Sequence, residues 1–337
     1  MKVAWFQDNA IGVDSFYVKN KKSYRMDNDK PYTYHRSINE ECMLDGFNYL
    51  YFGDDSYFVN IFQHQDLPDL DIDILLYSCQ RNGLDTTEKD KFNVDIIREK
   101  YKVPVIGMIK ELGSNFPSAH RHERIFDRIK FLNKCDYVHI FDNGCLRNTK
   151  EFDDVASKIN KPVYFSNNCI NIDYLFNNFY SESKDLSIFV YLPISPHRRA
   201  RTYNFAKYIS EKYNVELVLK PTSDNDNRKL SGKDFTKLWS SCAFHFNLDP
   251  LETQPGWQAI QTACVGTINV GGVNESHKNL YPTLATCNEE ILEDEFKKLL
   301  NNEEYRFNTI KYAWEKANSL YSFNVCKKQL KNLYLKN

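Results

Sequence analysis

Three things are scarce in this chain of 337 residues: glycine, with 12, long apolar runs, and any excess of one charge, since 44 basic side chains face 45 acidic ones. The net charge of -1 means that no overall charge excess declares a polyanionic partner. No run approaches the ~18 apolar residues of a membrane span. The opening Met1-Lys2-Val3-Ala4-Trp5-Phe6-Gln7-Asp8 is too short an apolar stretch for a secretory leader, so a cytoplasmic location is expected, the host cytoplasm if the chain is phage-encoded. The nine cysteines lie at least ten residues apart, form no Cys-x-x-Cys and are odd in number, which excludes a zinc ribbon and a disulfide scaffold and predicts reduced thiols. Eight histidines give no metal-ligand spacing; His120 and His122, with Arg121 between them, suit the charged start of a helix. With 42% hydrophobic and 26% charged residues, collagen-like, disordered and coiled-coil chains are excluded as well.

What is abundant is aromatic: 23 Phe, 22 Tyr and 4 Trp, read as the filling of cores, with Trp239, Trp257 and Trp314 inside predicted helices. The length exceeds one ordinary core and suits two domains of about 150 to 180 residues. Short β-branched and aromatic runs alternate with helical periods, the βαβ rhythm of parallel sheets covered by helices. In the first half this predicts strands at 2–6, 48–52, 58–62, 72–78, 103–109, 137–141 and 162–165, and helices at 93–101, 120–134 and 149–159. In the second half it predicts strands at 187–192, 215–219, 243–247 and 267–270, and helices at 198–213, 233–241, 256–264, 289–300, 303–319 and 323–334. The turn-forming stretch from Ser166 to Asp185 separates the two series.

Ligands of such sheets sit beyond the carboxyl ends of the strands, so the strand-ending loops are where chemistry is sought. The run from His245 to Gly272 is the most informative: a strand, a polar loop, Pro255 where a first helical turn tolerates it, a helix closed by Gly266, a second strand, then Gly271-Gly272. A helix start offers free N–H groups to a phosphate, and a glycine pair lets backbone approach a ligand closely. After the first strand of this half comes His197-Arg198-Arg199-Ala200-Arg201, a cluster equally readable as a solvated helix entrance or a phosphate contact. In the first half, Asp8, Gly12, Glu111, His120, His122 and Asp142 follow predicted strands. Asp8 and Asp142 also read as turn residues, and His120 and His122 as members of a charged helix face.

The carboxy-terminal run resembles the GT-B glycosyltransferases, in particular the large retaining group with a Glu-x7-Glu pair ahead of a Gly-Gly loop. Gly256, Gln261, Gly266 and Gly271-Gly272 fall at matching spacings; Gln261 takes the second Glu position, Thr253 stands eight residues before it, and Glu252 is displaced by one. The resemblance covers about residues 162–335, and the first half matches in architecture alone. It implies two Rossmann-like domains facing a central cleft, with the last helix crossing back to the first domain. The expected divisions are an acceptor-binding domain at 1–168, a hinge at 169–186, a nucleotide-sugar domain at 187–320 and the returning helix at 321–337.

The same resemblance implies roles. Arg198, Arg199, Arg201 and Lys220 would meet the diphosphate, where fixed cations stabilise the charge developing on a leaving nucleotide. Thr253, Gln254, Gly256, Gln261, Gly271 and Gly272 would complete the donor site, and Glu252 would either touch the sugar or decorate the first helical turn. Asp8, Gly12, Glu111 and His122 would face the acceptor, with Asp142 or His120 as a general base if the enzyme inverts. The implied activity is transfer of a sugar from a nucleotide-activated donor, a UDP-sugar foremost, to a hydroxyl of a glycan or of a hydroxymethylated base in double-stranded DNA, with no metal or other cofactor required. The glycan ranks above DNA, because phosphate-tracking clusters (Lys19-Asn20-Lys21-Lys22 with Arg25, and Arg121 to Lys130) must act without any overall basic excess. A sugar-nucleotide epimerase or hydrolase would turn over without an acceptor, and a non-catalytic nucleotide-sugar-binding protein would bind without turnover.

Overall fold

The computed structural model describes residues 2–7, 16–19, 22–25, 56–60, 66–78, 93–109, 129–141, 153, 156–167, 170–181, 183–191, 200–219, 232–248 and 257–334. They divide into two units: the first runs to Asn167 and adds the chain from Cys326, and the second is Ile170 to Val325.

The first unit is built on an eight-stranded sheet of β1 (Val3–Gln7), β2 (Phe16–Lys19), β3 (Lys22–Arg25), β4 (Tyr57–Asn60), β5 (Ile74–Ser78), β6 (Val105–Ile109), β7 (Tyr137–Phe141) and β8 (Val163–Ser166). Its order is β3-β2-β4-β1-β5-β6-β7-β8. The strands from β4 through β8 pair in parallel, as the sequence rhythm predicts, and β1, β5 and β6 at the centre are apolar runs with residues buried at successive positions. β2 and β3 depart from it. They form an antiparallel hairpin in which Lys19 pairs with Lys22, so two lysines read from sequence as a basic cluster lie on the strands of an edge ribbon. Charged residues are what an edge strand tolerates. Helix α1 (Val94–Tyr101) buries Val94 and Ile97 and is capped by Asn93, whose side chain accepts the Asp95 N–H at 3.0 Å. The predicted strand 48–52 lies outside the described residues, as do most of the helices expected at 120–134 and 149–159.

The second unit carries four parallel strands, β9 (Asp185–Val190), β10 (Glu216–Leu219), β11 (Cys242–Phe246) and β12 (Ile268–Val270), in the order β10-β9-β11-β12. Its helices are α2 (Ile172–Phe179), α3 (Ala200–Tyr213), α4 (Gly232–Ser241), α5 (Trp257–Val265), α6 (Glu275–Leu280), α7 (Glu289–Asn301) and α8 (Glu303–Tyr321). Helix α9 (Phe323–Tyr334) follows, its residues from Cys326 belonging to the first unit. The stretch read as a hinge is more ordered than its polar composition predicts. Asn171 caps α2 by accepting the Tyr174 N–H at 3.0 Å, and Ile172, Leu175 and Phe179 fall on one buried face. The asparagines that suggest a turn are the cap of a helix whose apolar spacing is short enough to miss.

The centre of this unit is α5, packed by α2, α6 and α8. Ala259, Ile260, Ala263, Cys264 and Val265 are all buried, a broad apolar face that leaves only Gln258 and Gln261 half-buried among its described residues. Gly266 ends it at φ +76°, and the Thr267 N–H returns to the Thr262 carbonyl at 3.0 Å. The buried Tyr281 hydroxyl donates to the Thr267 carbonyl at 2.8 Å, tying α6 to the start of β12. Among the described residues, Cys135, Cys242, Cys264, Cys287 and Cys326 are free thiols.

Gly107 in β6 tests the packing of the first unit. A Cβ there would stand 2.7 Å from Leu132 Cδ2 and 2.9 Å from Cys135 Sγ, both on buried residues. Gly107→Ala should therefore lower the unfolding free energy by about 1–3 kcal/mol in urea titration, the usual cost of overpacking. A variant as stable as the parent contradicts this packing.

Candidate functional site

In the second sheet the chain steps from β9 outward to β10, then back across to β11 and β12. The connections after β9 and β11 thus leave in opposite directions, and a crevice for ligands forms at such a reversal, outside the carboxyl ends of the strands. The proposed donor residues fall on the connections leaving this edge. Arg198, Arg199, Lys220, Glu252, Thr253, Gln254 and Gly256 lie outside the described residues, and so do the acceptor-side Asp8, Gly12, Glu111, His120, His122 and Asp142. The described part is the carboxyl edge of β11 and β12 with the turn into α6.

That edge has a floor that is polar, buried and neutral. Asn247 closes β11, donating its backbone N–H to the Val270 carbonyl at 2.8 Å. His245 Nδ1 lies 2.9 Å from Asn269 Oδ1, and Asn269 Nδ2 donates to the Gly271 carbonyl at 2.9 Å. Because the Asn269 oxygen only accepts, the His245 ring carries its proton on Nδ1. Asn274 caps α6: its Oδ1 accepts the His277 backbone N–H at 3.1 Å and the His277 Nδ1–H at 2.6 Å. His245, Asn247, Asn269, Asn274 and His277 are all buried. Burial first, then the proximity of His245, pushes the His277 imidazole down to about 3, so it stays neutral at ordinary pH.

Over this floor runs the glycine pair. Gly271 sits at φ +94° and Gly272 at φ +89°, a region that residues with a side chain rarely enter. A Cβ on Gly271 would stand 2.6 Å from the Asn247 carbonyl oxygen, and one on Gly272 2.5 Å from both Cδ2 and Nε2 of His277. Both backbone groups of Gly271 are used, its N–H reaching the Leu284 carbonyl at 3.1 Å. Among the described residues, the N–H groups of Gly272 and Val273 have no such partner.

Two further residues expected at the donor site are described. Gln261 lies half-buried within α5. Arg201, in the first turn of α3, is engaged elsewhere: its Nε donates to Glu289 Oε1 at 2.8 Å and its guanidinium to the Cys287 carbonyl at 2.6 Å. A diphosphate reaching Arg201 must compete with Glu289, the hydrogen-bond partner that raises its already high pKa. Sequence reading passed over His245, Asn247, Asn269 and His277. The signal for the first three was a polar residue inside a strand that is otherwise continuous apolar run, since every residue of β11 and β12 is buried.

The neutral buried histidines make stability depend on pH. His139, whose Nε2 lies 2.7 Å from Ser166 Oγ between β7 and β8, is also pushed down to about 3 by burial. Below about pH 6.5 the unfolded chain takes up protons that the folded one refuses. Stability is therefore full above pH 6.5 and falls by up to about 1.4 kcal/mol per pH unit for each histidine as pH drops toward 3. Urea unfolding at pH 7 and pH 5 should show this loss, with a smaller slope in His277→Gln; equal stabilities at both pH values contradict it. Gly272→Ala should destabilise the second unit by about 1–3 kcal/mol, through both the left-handed backbone and the His277 ring.

No family model matches this chain, and no curated protein matches it. Solved structures do. An alpha-glucosyltransferase in complex with UDP and a 13-mer DNA containing a HMU base is similar over 99% of this chain and 99% of its own, with a TM-score of 0.60 at 9% identity. Anabaena HepE in complex with UDP is similar over 100% of both chains, with a TM-score of 0.56 at 10% identity. Trehalose-6-phosphate synthase OtsA is similar over 78% of this chain and 71% of its own, with a TM-score of 0.51 at 9% identity. Two parallel α/β units, matched end to end by such glycosyltransferases, give this chain the two-domain, Rossmann-like GT-B fold.

Proposed function

We propose that this chain is a glycosyltransferase that moves a sugar from a UDP-sugar to a hydroxyl acceptor. The observation that carries the reading is the glycine pair at the carboxyl edge of the second sheet. Its unpaired Gly272 and Val273 amides stand over a buried neutral floor, in a fold whose solved examples hold UDP or UDP-glucose. Donor binding is assigned to residues 187–320 and acceptor binding to 1–168, with 169–186 between them and 321–337 returning to the first domain.

Within that assignment the chain's residues divide the work by chemistry. Backbone N–H groups at Gly272 and Val273 donate to the donor without bringing a side chain into contact with it. Arg198, Arg199 and Lys220 supply the positive charge that stabilises the departing nucleoside diphosphate, so the proposal requires no metal ion. Glu252, Thr253, Gln254, Gly256 and Gln261 orient the sugar and ribose. Asp142 or His120 takes the acceptor proton if the reaction inverts; if it retains, the donor phosphate does so. The acceptor favoured now is a hydroxymethylated base in DNA, supported by full-length likeness at TM-scores of 0.60 and 0.62 to an alpha-glucosyltransferase seen with DNA. A glycan hydroxyl is the second reading, supported by the full-length likeness to HepE, which has also been solved with UDP and glucose.

Incubation with UDP-glucose should release UDP only when an acceptor is present, with hydroxymethylated duplex DNA and glycan acceptors compared side by side. Arg199→Ala should lower turnover about 100-fold or more, the scale of losing one electrostatic contact to the leaving group. Acceptor-independent turnover would favour a hydrolase or epimerase, and binding without turnover a sensor. Unchanged turnover in Arg199→Ala removes that residue from the mechanism.

A further inference from the structure

Two buried acceptors at the carboxyl edge of the second sheet have nothing to accept from. His277 donates through Nδ1 to Asn274 Oδ1 at 2.6 Å, which leaves a lone pair on Nε2, and that atom is buried without a hydrogen-bond partner. Asn247 Oδ1, at the end of β11, is buried and unpartnered in the same way. His277 and Asn247 are 2% and 3% exposed, so bulk water does not satisfy these atoms. Leaving such groups unpaired is destabilising, a cost that persists where a ligand completes the site.

Their placement says what that ligand carries. The main-chain carbonyl of Asn247, the residue that carries this Oδ1, lies against Gly271, and the His277 ring lies against Gly272. The nearly equal distances of 2.5, 2.5 and 2.7 Å from a Gly272 Cβ to Cδ2, Nε2 and Cε1 set the glycine over the ring, leaving the in-plane lone pair directed past it. The same short loop offers the Gly272 and Val273 N–H groups as donors. A phosphate oxygen has only lone pairs: it suits those amides and is repelled by Nε2 and Oδ1. A hydroxyl both donates and accepts, and suits all four groups.

We infer that His277 Nε2 and Asn247 Oδ1 accept hydrogen bonds from hydroxyl groups of the donor's sugar and so determine which sugar the site takes. This rests on the donor reading above and assigns the edge under Gly271–Gly272 to the hexose.

Calorimetric titration with UDP and with UDP-glucose separates the possibilities. His277→Asn keeps a donor where Nδ1 stands and removes the acceptor at Nε2, whereas His277→Gln places a side-chain oxygen near Nε2. His277→Asn should weaken UDP-glucose about tenfold and leave UDP unchanged, with His277→Gln restoring part of the loss. Asn247→Ala should give the same sugar-selective loss, and it carries the test if the His277 variants fail to fold. Equal weakening of UDP and UDP-glucose, or no change in either, overturns the inference. If the unsubstituted protein binds neither compound, the donor reading fails first, and the parent titration alone reveals it.

Discussion

Everything at the edge of the second sheet depends on two missing side chains. Gly271 and Gly272 press directly on the Asn247 carbonyl and the His277 ring, closer than any Cβ allows, and both hold left-handed backbone conformations. That closeness lets β12 turn at once into α6, with Asn274 capping the helix and His277 locking the cap from below. It also leaves the next two amides unbonded. A chain with 12 glycines in 337 residues spends two of them consecutively here, where geometry forbids anything else.

The helix behind this edge explains its rigidity. α5 is packed by α2, α6 and α8 and buries Ala259, Ile260, Ala263, Cys264 and Val265 among them, so it cannot tilt without opening a void in a close-packed interior. Thr262 Oγ1 bonds back to the Gln258 and Ala259 carbonyls at 2.9 Å, which hides a hydroxyl that would otherwise be unsatisfied there. The polar groups that remain buried next to it are histidines and asparagines, neutral side chains that hold a hydrogen-bonded floor without a trapped charge.

Much of this was legible in the sequence. The strands β5 to β12 are apolar runs between helical periods, and Gly266 and Gly271-Gly272 mark turns that only glycine makes easily. What escaped has physical reasons. The β2–β3 strands span only four residues each, FYVK and KSYR, too short for a periodic signal, and their lysines look like a surface cluster. Helix α2 hides because Asn171 at its cap is also a turn residue, and only the buried spacing of Ile172, Leu175 and Phe179 reveals it. The buried polar floor escaped because motif reading follows glycine and charge. His245, Asn247 and Asn269 are neutral, and they stand out only once the strands around them are known to be fully buried.

In the proposed site the donor lies on the second unit against the Gly271–Val273 backbone. A crystal structure of the protein with UDP-glucose tests it most directly. The account predicts the nucleotide at the carboxyl edge of β9, β11 and β12, with Gly272 or Val273 N–H within about 3 Å of a donor oxygen. UDP-glucose bound on the sheet of the first unit, or on the second with both amides still unbonded, would contradict it.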